Sequence, residues 1–122
     1  MIKFTECVRR LPRLSHEEFL DYWLNTHGPL VKGLAADLRM GRYVQSHTIA
    51  HPIHDAIQKS RGTGKPYDGI VEVWYESRQA MERGFVTAAM KAANQKLRED
   101  EANFIDWAGS AGFFTEEHVI IE

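Results

Sequence analysis

His27 is the residue of this 122-residue chain most clearly placed for proton chemistry. It stands in Thr26-His27-Gly28-Pro29, where glycine loosens a helix and proline withholds an N–H, so the imidazole is expected near a helix end with a defined direction. An unperturbed imidazole titrates at ~6.5 and can take or give a proton near neutral pH. Glu72 is the second candidate. It interrupts the apolar run Ile70-Val71-Val73-Trp74-Tyr75, where an unpaired carboxylate is costly and must meet a cation, water or a polar group of a substrate. Gln45 and His47, two apart on an alternating segment, are candidates to orient a substrate's polar end. Tyr43, Trp74, Phe104 and Tyr22 are candidates to wall an apolar binding space. Each has a plainer alternative: a helix-capping or core histidine, a Glu72 ion pair, aromatics that simply fill the interior.

Other chemistries find less support. His47, His51, His54 and Asp55 have spacings that would align metal ligands on a helix. Pro52 lies among them and His47 falls in a strand, so no metal site is expected. The lone Cys7 has no surrounding motif and cannot form an internal disulfide. With a formal charge of −2 and interspersed signs there is no basic stripe for nucleic acid. No apolar run approaches the ~20 residues of a membrane helix. The start Met1-Ile2-Lys3-Phe4-Thr5-Glu6 lacks the pattern of an export signal, so the cytoplasm is the expected location.

The elements that must position these residues follow from patterning. A chain of this length, 43% hydrophobic and 26% charged, builds one core, and residues 1–122 are read as one domain. Lys3 to Arg10 suits a first strand. Ser15 reads as an N-cap with Glu18 completing a capping box, and Leu14 and Phe19 as a hydrophobic staple. The helix then runs to about Thr26 with Phe19, Leu20, Trp23 and Leu24 inward, and Leu30, Val31, Leu34 and Leu38 suggest a second helical piece after the break. Arg42 to Ala50 alternates as a strand. His51 to Lys65 is polar, contains Gly62 and Gly64, and reads as a long mobile loop. Ile70 to Tyr75 is the next strand, introduced by the turn Tyr67-Asp68-Gly69. Ser77 caps a helical stretch from Arg78 to Trp107, with Ala80, Met81, Phe85, Ala88, Ala89, Ala92 and Phe104 available for burial and divisions at Gly84 and at Arg98-Glu99-Asp100-Glu101. After a turn over Gly109 to Gly112, Phe113 to Ile121 supplies a last strand.

The order βαββαβ folds by right-handed crossovers into an α+β, ferredoxin-like plait: a four-stranded antiparallel sheet with helices on one face. Its other face calls for a cover, and a second copy is the natural one, so a homodimer is expected. The chamber would then lie between the two sheets. If Val71, Val73 and Tyr75 pack on the helices, Ile70, Glu72 and Trp74 point into that chamber, joined by Tyr43, Gln45 and His47.

Ordered along the chain, Leu14-Ser15-His16-Glu17-Glu18-Phe19, Tyr22-Trp23, His27-Gly28-Pro29-Leu30, Tyr67-Asp68-Gly69, Glu72-Val73-Trp74 and Asp100-Glu101-Ala102-Asn103-Phe104-Ile105-Asp106 together resemble the EthD domain family. The resemblance covers nearly the whole chain; the insert His51 to Lys65 departs from a minimal member. It implies a dimeric α/β barrel and oxidoreductase-type or ring-modifying activity on small hydrophobic compounds, and it favours His27 as a reacting group. Related barrels include polyketide cyclases, muconolactone isomerases and cofactor-free oxygenases. The function so implied is a small-molecule enzyme acting on a hydrophobic, oxygenated ring compound by acid-base chemistry without a cofactor, in the manner of a monooxygenase, cyclase, dehydratase or isomerase. Two alternatives stand beside it: an oxygenase-like barrel holding haem through His27, and a non-catalytic binding or accessory protein.

Overall fold

The computed structural model describes residues 2–83 and 87–122. Strand β1 (Ile2–Val8) lies between β3 (Gly69–Tyr75) and β4 (Ala111–Glu116), and β2 (Met40–His47) flanks β3, giving the order β2-β3-β1-β4 with every neighbouring pair antiparallel. This is the ferredoxin-like plait that the sequence predicts. Register fixes the faces: Phe4 sits opposite Val73 and Phe114, while Lys3 sits opposite Trp74 and Thr115. Because side chains alternate, the first set turns to the helices and the second to the open side.

Helix α1 (His16–Tyr22) begins as its sequence dictates. Ser15 Oγ accepts from the Glu18 N–H at 3.0 Å, and Glu18 Oε1 accepts from the Ser15 N–H at 2.9 Å. The break expected at Gly28-Pro29 is instead a change of winding. A π-helical turn, Trp23–His27, leads without interruption into α2 (Gly28–Leu34), with the Gly28 N–H donating to the Trp23 carbonyl. A wider turn relieves the clash between a proline ring and the carbonyl four residues back, and such turns recur at functional sites. The extra residue also shifts the helical phase, which leaves Leu24 exposed while Phe19, Trp23, His27 and Val31 are buried.

Helix α5 (Ala88–Glu101) is capped by Thr87 and buries Met90, Ala93 and Leu97; Ala88, Ala89 and Ala92 face outward. The acidic stretch expected to divide it is its last turn. Helix α4 (Arg78–Arg83) follows Ser77, whose hydroxyl accepts from the Ala80 N–H at 3.0 Å. The division expected at Gly84 and the burial expected of Phe85 fall outside the described residues. Two apolar clusters fill the space between helices and sheet: Val8, Phe19, Trp23, Phe104 and Ile105, and Val31, Leu38, Ala93 and Leu97.

The segment read as a mobile loop contains a helix, α3 (Ile53–Arg61), which is wholly surface-exposed or nearly so and ends at Gly62 in the left-handed conformation. The polar composition masked the helix, and Gly62, read as a loop residue, is its C-terminal cap. The last strand starts at Ala111 and ends at Glu116, so Val119, Ile120 and Ile121 lie beyond it, exposed. On the open face of the sheet Ile70 and Phe113 are 38% and 47% exposed.

Gly69 marks a close approach of the two layers. A Cβ there would lie 2.5 Å from the Trp23 ring and 2.6 Å from the Ser46 carbonyl oxygen, so only glycine lets the indole lie across the strand.

Candidate active site

His27 is the last residue of the π turn and is only 4% exposed. Its Nδ1 lies 2.8 Å from Asp100 Oδ2 at the end of α5. An ionised carboxylate only accepts, so in the neutral imidazole Nδ1 carries the hydrogen and Nε2 keeps its lone pair. Asp100 is itself held: its other oxygen accepts from the Tyr22 hydroxyl at 2.6 Å, and that hydroxyl accepts from Asn103 Nδ2 at 3.3 Å. The Phe104 ring, fully buried, packs against both Tyr22 and His27 with centroids 5.0 Å apart. Tyr22 and Phe104 therefore support the imidazole from behind.

Burial lowers the His27 pKa below its ordinary value, and the hydrogen bond and charge of Asp100 oppose that shift without cancelling it. The ring is thus neutral at neutral pH. Burial pushes Asp100 up, but the bonds from Tyr22 and His27 and the attraction to the imidazole outweigh it, so the carboxyl lies below its ordinary range.

His27 opens on a partly open cavity of about 230 Å³ within the protomer, between the covered face of the sheet and the helices. Phe4, Val8, Val71, Val73 and Phe114 from the sheet and Trp23, Val31 and Leu97 from the helices make it largely apolar. Four polar groups interrupt that lining besides His27 and Asn94: Glu6, Tyr43, Tyr75 and Glu101. Glu101 Oε2 is 3.9 Å from His27 Nε2, beyond a direct hydrogen bond. Burial raises the Glu6 carboxyl, and burial together with the Glu6 charge pushes Glu101 up to about 7.

This differs from a chamber between two sheets. The correction is one of parity: Tyr43 pairs with Val73 and Gln45 with Val71, so Tyr43, Gln45 and His47 share the helix-covered face with the valines. Glu72 and Trp74 do turn to the open side, as the alternation along β3 predicts, but the His27 cavity lies on the other side of the sheet. Glu72 makes an ion pair with Lys3, and Trp74 Nε1 donates to Glu117 while Lys3 and Arg42 stand over its ring. Neither reaches His27. Gln45 and His47 surround Trp23 instead of entering the cavity. Gln45 Nε2 donates to the Trp23 carbonyl at 2.9 Å and to the Tyr43 hydroxyl at 3.1 Å, and its Oε1 accepts from His47, whose ring stacks on Trp23 at 4.8 Å. Of the residues expected to form the site, His27 and Tyr43 line the cavity.

Asp100, Glu101 and Glu6 were not anticipated. A signal existed: the buried positions Met90, Ala93, Leu97 and Phe104 recur at helical spacing, and Asp100 and Glu101 fall on that stripe. His51 Nδ1 accepts from the Ile53 N–H, and His54 bonds the Ile49 carbonyl, so both serve the start of α3. Among the described residues no group of three or more metal-binding side chains is assembled, and no helix there is long and apolar enough to cross a membrane.

The EthD domain model matches residues 11–108, a span holding the capped helix, the π turn with His27, and the Asp100-Glu101 end of α5. The chain belongs to the EthD domain family. An ethyl tert-butyl ether D (EthD) family protein from Bacillus halodurans shares its fold at 16% identity and a TM-score of 0.62, over 97% of this chain and 99% of that one. A dimeric protein of unknown function with a ferredoxin-like fold from Bacteroides fragilis matches at 11% identity and a TM-score of 0.58, over 95% of both chains. SnoaB, a cofactor-independent oxygenase from Streptomyces nogalater, matches at 11% identity and a TM-score of 0.51, over 99% and 97%. At such identities the likeness to this EthD chain is one of fold. No curated protein matches it in sequence.

Proposed function

We propose that this EthD domain protein is a small-molecule enzyme in which His27 is a general base toward a hydrophobic ring compound bearing a hydroxyl, enol or activated C–H. One observation carries the reading: a buried, neutral imidazole has Nδ1 fixed by Asp100 and Nε2 turned to a mostly apolar cavity. Asp100 sets the tautomer and stabilises the imidazolium formed when a proton arrives. The mostly apolar lining favours a hydrophobic compound, and the modest volume of about 230 Å³ limits it to one or two rings. Removal of a proton from such a compound opens routes to cyclisation, dehydration, isomerisation or oxygenation of the electron-rich anion. The fold likeness to SnoaB supports a reaction without a cofactor.

Haem does not fit this site. The cavity is smaller than the ~300–1,000 Å³ of ordinary ligand pockets, and two carboxyl groups share it with Nε2. A passive carrier of apolar cargo is also a poor match, since an imidazole and two carboxyls in its wall cost desolvation that such cargo does not repay. The exposed Ile70 and Phe113 on the open sheet face support pairing with a second copy, which leaves the cavity inside each protomer.

The test is a turnover screen of hydroxylated one- and two-ring aromatics against wild type and His27→Ala. Activity confined to the wild type, with both proteins equally folded by circular dichroism, is expected. A fully active His27→Ala removes the assignment.

A further inference from the structure

We infer that Glu101 is the second reacting group of the cavity, its carboxylic acid form donating a hydrogen bond to the substrate oxygen from which His27 takes a proton. The inference rests on the His27 reading and adds to it the oxyanion donor and the form of the substrate's reacting end.

The geometry comes first. Glu101 Oε2 and His27 Nε2 are 3.9 Å apart across the same cavity wall, too far to bond each other. An oxygen atom at ordinary hydrogen-bond distance from both fits between them. A single hydroxyl can then donate to Nε2 and accept from Glu101, which uses both its capacities. Two separate polar groups on the ligand are not needed. The cavity is otherwise mostly apolar, so a ring with one oxygen at this end fills it without stranding a polar atom.

The protonation states agree with this division. The charged and titratable groups around Glu101 are His27 on the π turn, Asp100 and Arg98 on its own helix, Glu6 on β1, Tyr43 on β2 and Tyr75 on β3. Trp107, just beyond α5, shares the outer groove with it. Burial is the main influence, and two carboxylates nearby reinforce it against the hydrogen bond from Trp107 and the charge of Arg98, which brings the carboxyl to about 7. Glu6 and Glu101 repel as anions, so a proton held on Glu101 is favoured over two charges in one apolar space. The two tyrosines are also raised, mainly by burial, and remain neutral.

The step balances within the site. The substrate O–H bond breaks, its proton passes to His27 Nε2, and the electron pair stays on oxygen. Glu101 keeps its own proton and shares it with that anion as a hydrogen bond, stabilising charge as it develops. Asp100 meets the imidazolium on the other side.

4-Nitrophenol is the probe, because its ionisation is read directly from its visible absorbance when bound. In wild type the bound phenol should ionise at a lower pH than the free compound. Glu101→Leu should bind it and reduce the phenolate fraction by roughly tenfold at a given pH, the worth of one hydrogen bond to a charged oxygen. Glu101→Gln, which keeps a weaker donor, should fall between. An unchanged phenolate fraction in Glu101→Leu, or failure of wild type to bind the phenol, overturns the proposal. A shift in Glu101→Leu with none in His27→Ala removes the base and leaves the donor; the reverse pattern overturns the donor and leaves the base. Carboxyl carbon NMR of wild type reads the same point without a variant: a Glu101 signal that titrates in the ordinary glutamate range overturns the proposal.

Discussion

His27 and Asp100 meet at 2.8 Å although 73 residues separate them, and the bond joins the π turn to the final turn of α5. It fixes which ring nitrogen is free, and so which one faces the cavity.

Asp100→Asn places an amide beside Nδ1. The amide presents either its oxygen or its NH2, so the ring no longer has a single favoured tautomer. Ring nitrogen NMR should show Nδ1–H as the dominant neutral tautomer in wild type and a mixture in the variant. Stability should fall by about 1–3 kcal/mol, as a buried charged acceptor for both Tyr22 and His27 is lost. Identical ring nitrogen spectra would show that Asp100 does not set the tautomer.

Glu101 carries a stability signature of its own. Its carboxyl is raised in the folded state from 4.5 to about 7, so its contribution is fully present below about 4.5, falls as pH rises to about 7, and stays lost above. The loss amounts to about 3 kcal/mol at the alkaline end. Glu101→Gln cannot ionise. Urea unfolding at about pH 5 and about pH 8 should show a falling stability in wild type from this group and a flatter line in the variant. Parallel lines would mean that Glu101 ionises in the folded protein as freely as in the unfolded chain.

Gly69→Ala forces a methyl group into the Trp23 ring and the Ser46 carbonyl. The indole must move, and with it the π turn that carries His27. A cost of about 1–3 kcal/mol is expected from overpacking, read as a lower urea midpoint with an unchanged slope. A variant as stable as wild type would show that the layers can separate at this point at no cost.

Phe113→Asp and Ile70→Asp place charges on the open sheet face, away from the cavity. Sedimentation should show a wild-type dimer and variant monomers with unchanged far-ultraviolet circular dichroism. A wild-type monomer at micromolar concentration would remove the expected pairing.

Local chemistry made part of this architecture readable. Ser15 and Glu18 define a helix start because a hydroxyl and a carboxylate three residues apart satisfy each other's backbone N–H groups. Ile70 to Tyr75 is a strand because β-branched and aromatic residues fit a pleated surface. Helix α3 escaped notice because it has no buried face to impose a pattern on its composition.

By itself the sequence determined the four strands, the capped helix and the family, and it singled out His27 as a candidate, all from short-range spacing or ordered blocks. Tertiary structure alone decided which carboxylate joins that imidazole. Alternation along β3 already turned Glu72 away from Val71 and Val73; register with β1 gave it Lys3 as a partner there, and register with β2 put Tyr43, Gln45 and His47 on the opposite, helix-covered face. The packing of α5 against the π turn brought Asp100 and Glu101 to His27, a meeting across more than 70 residues that no local pattern encodes.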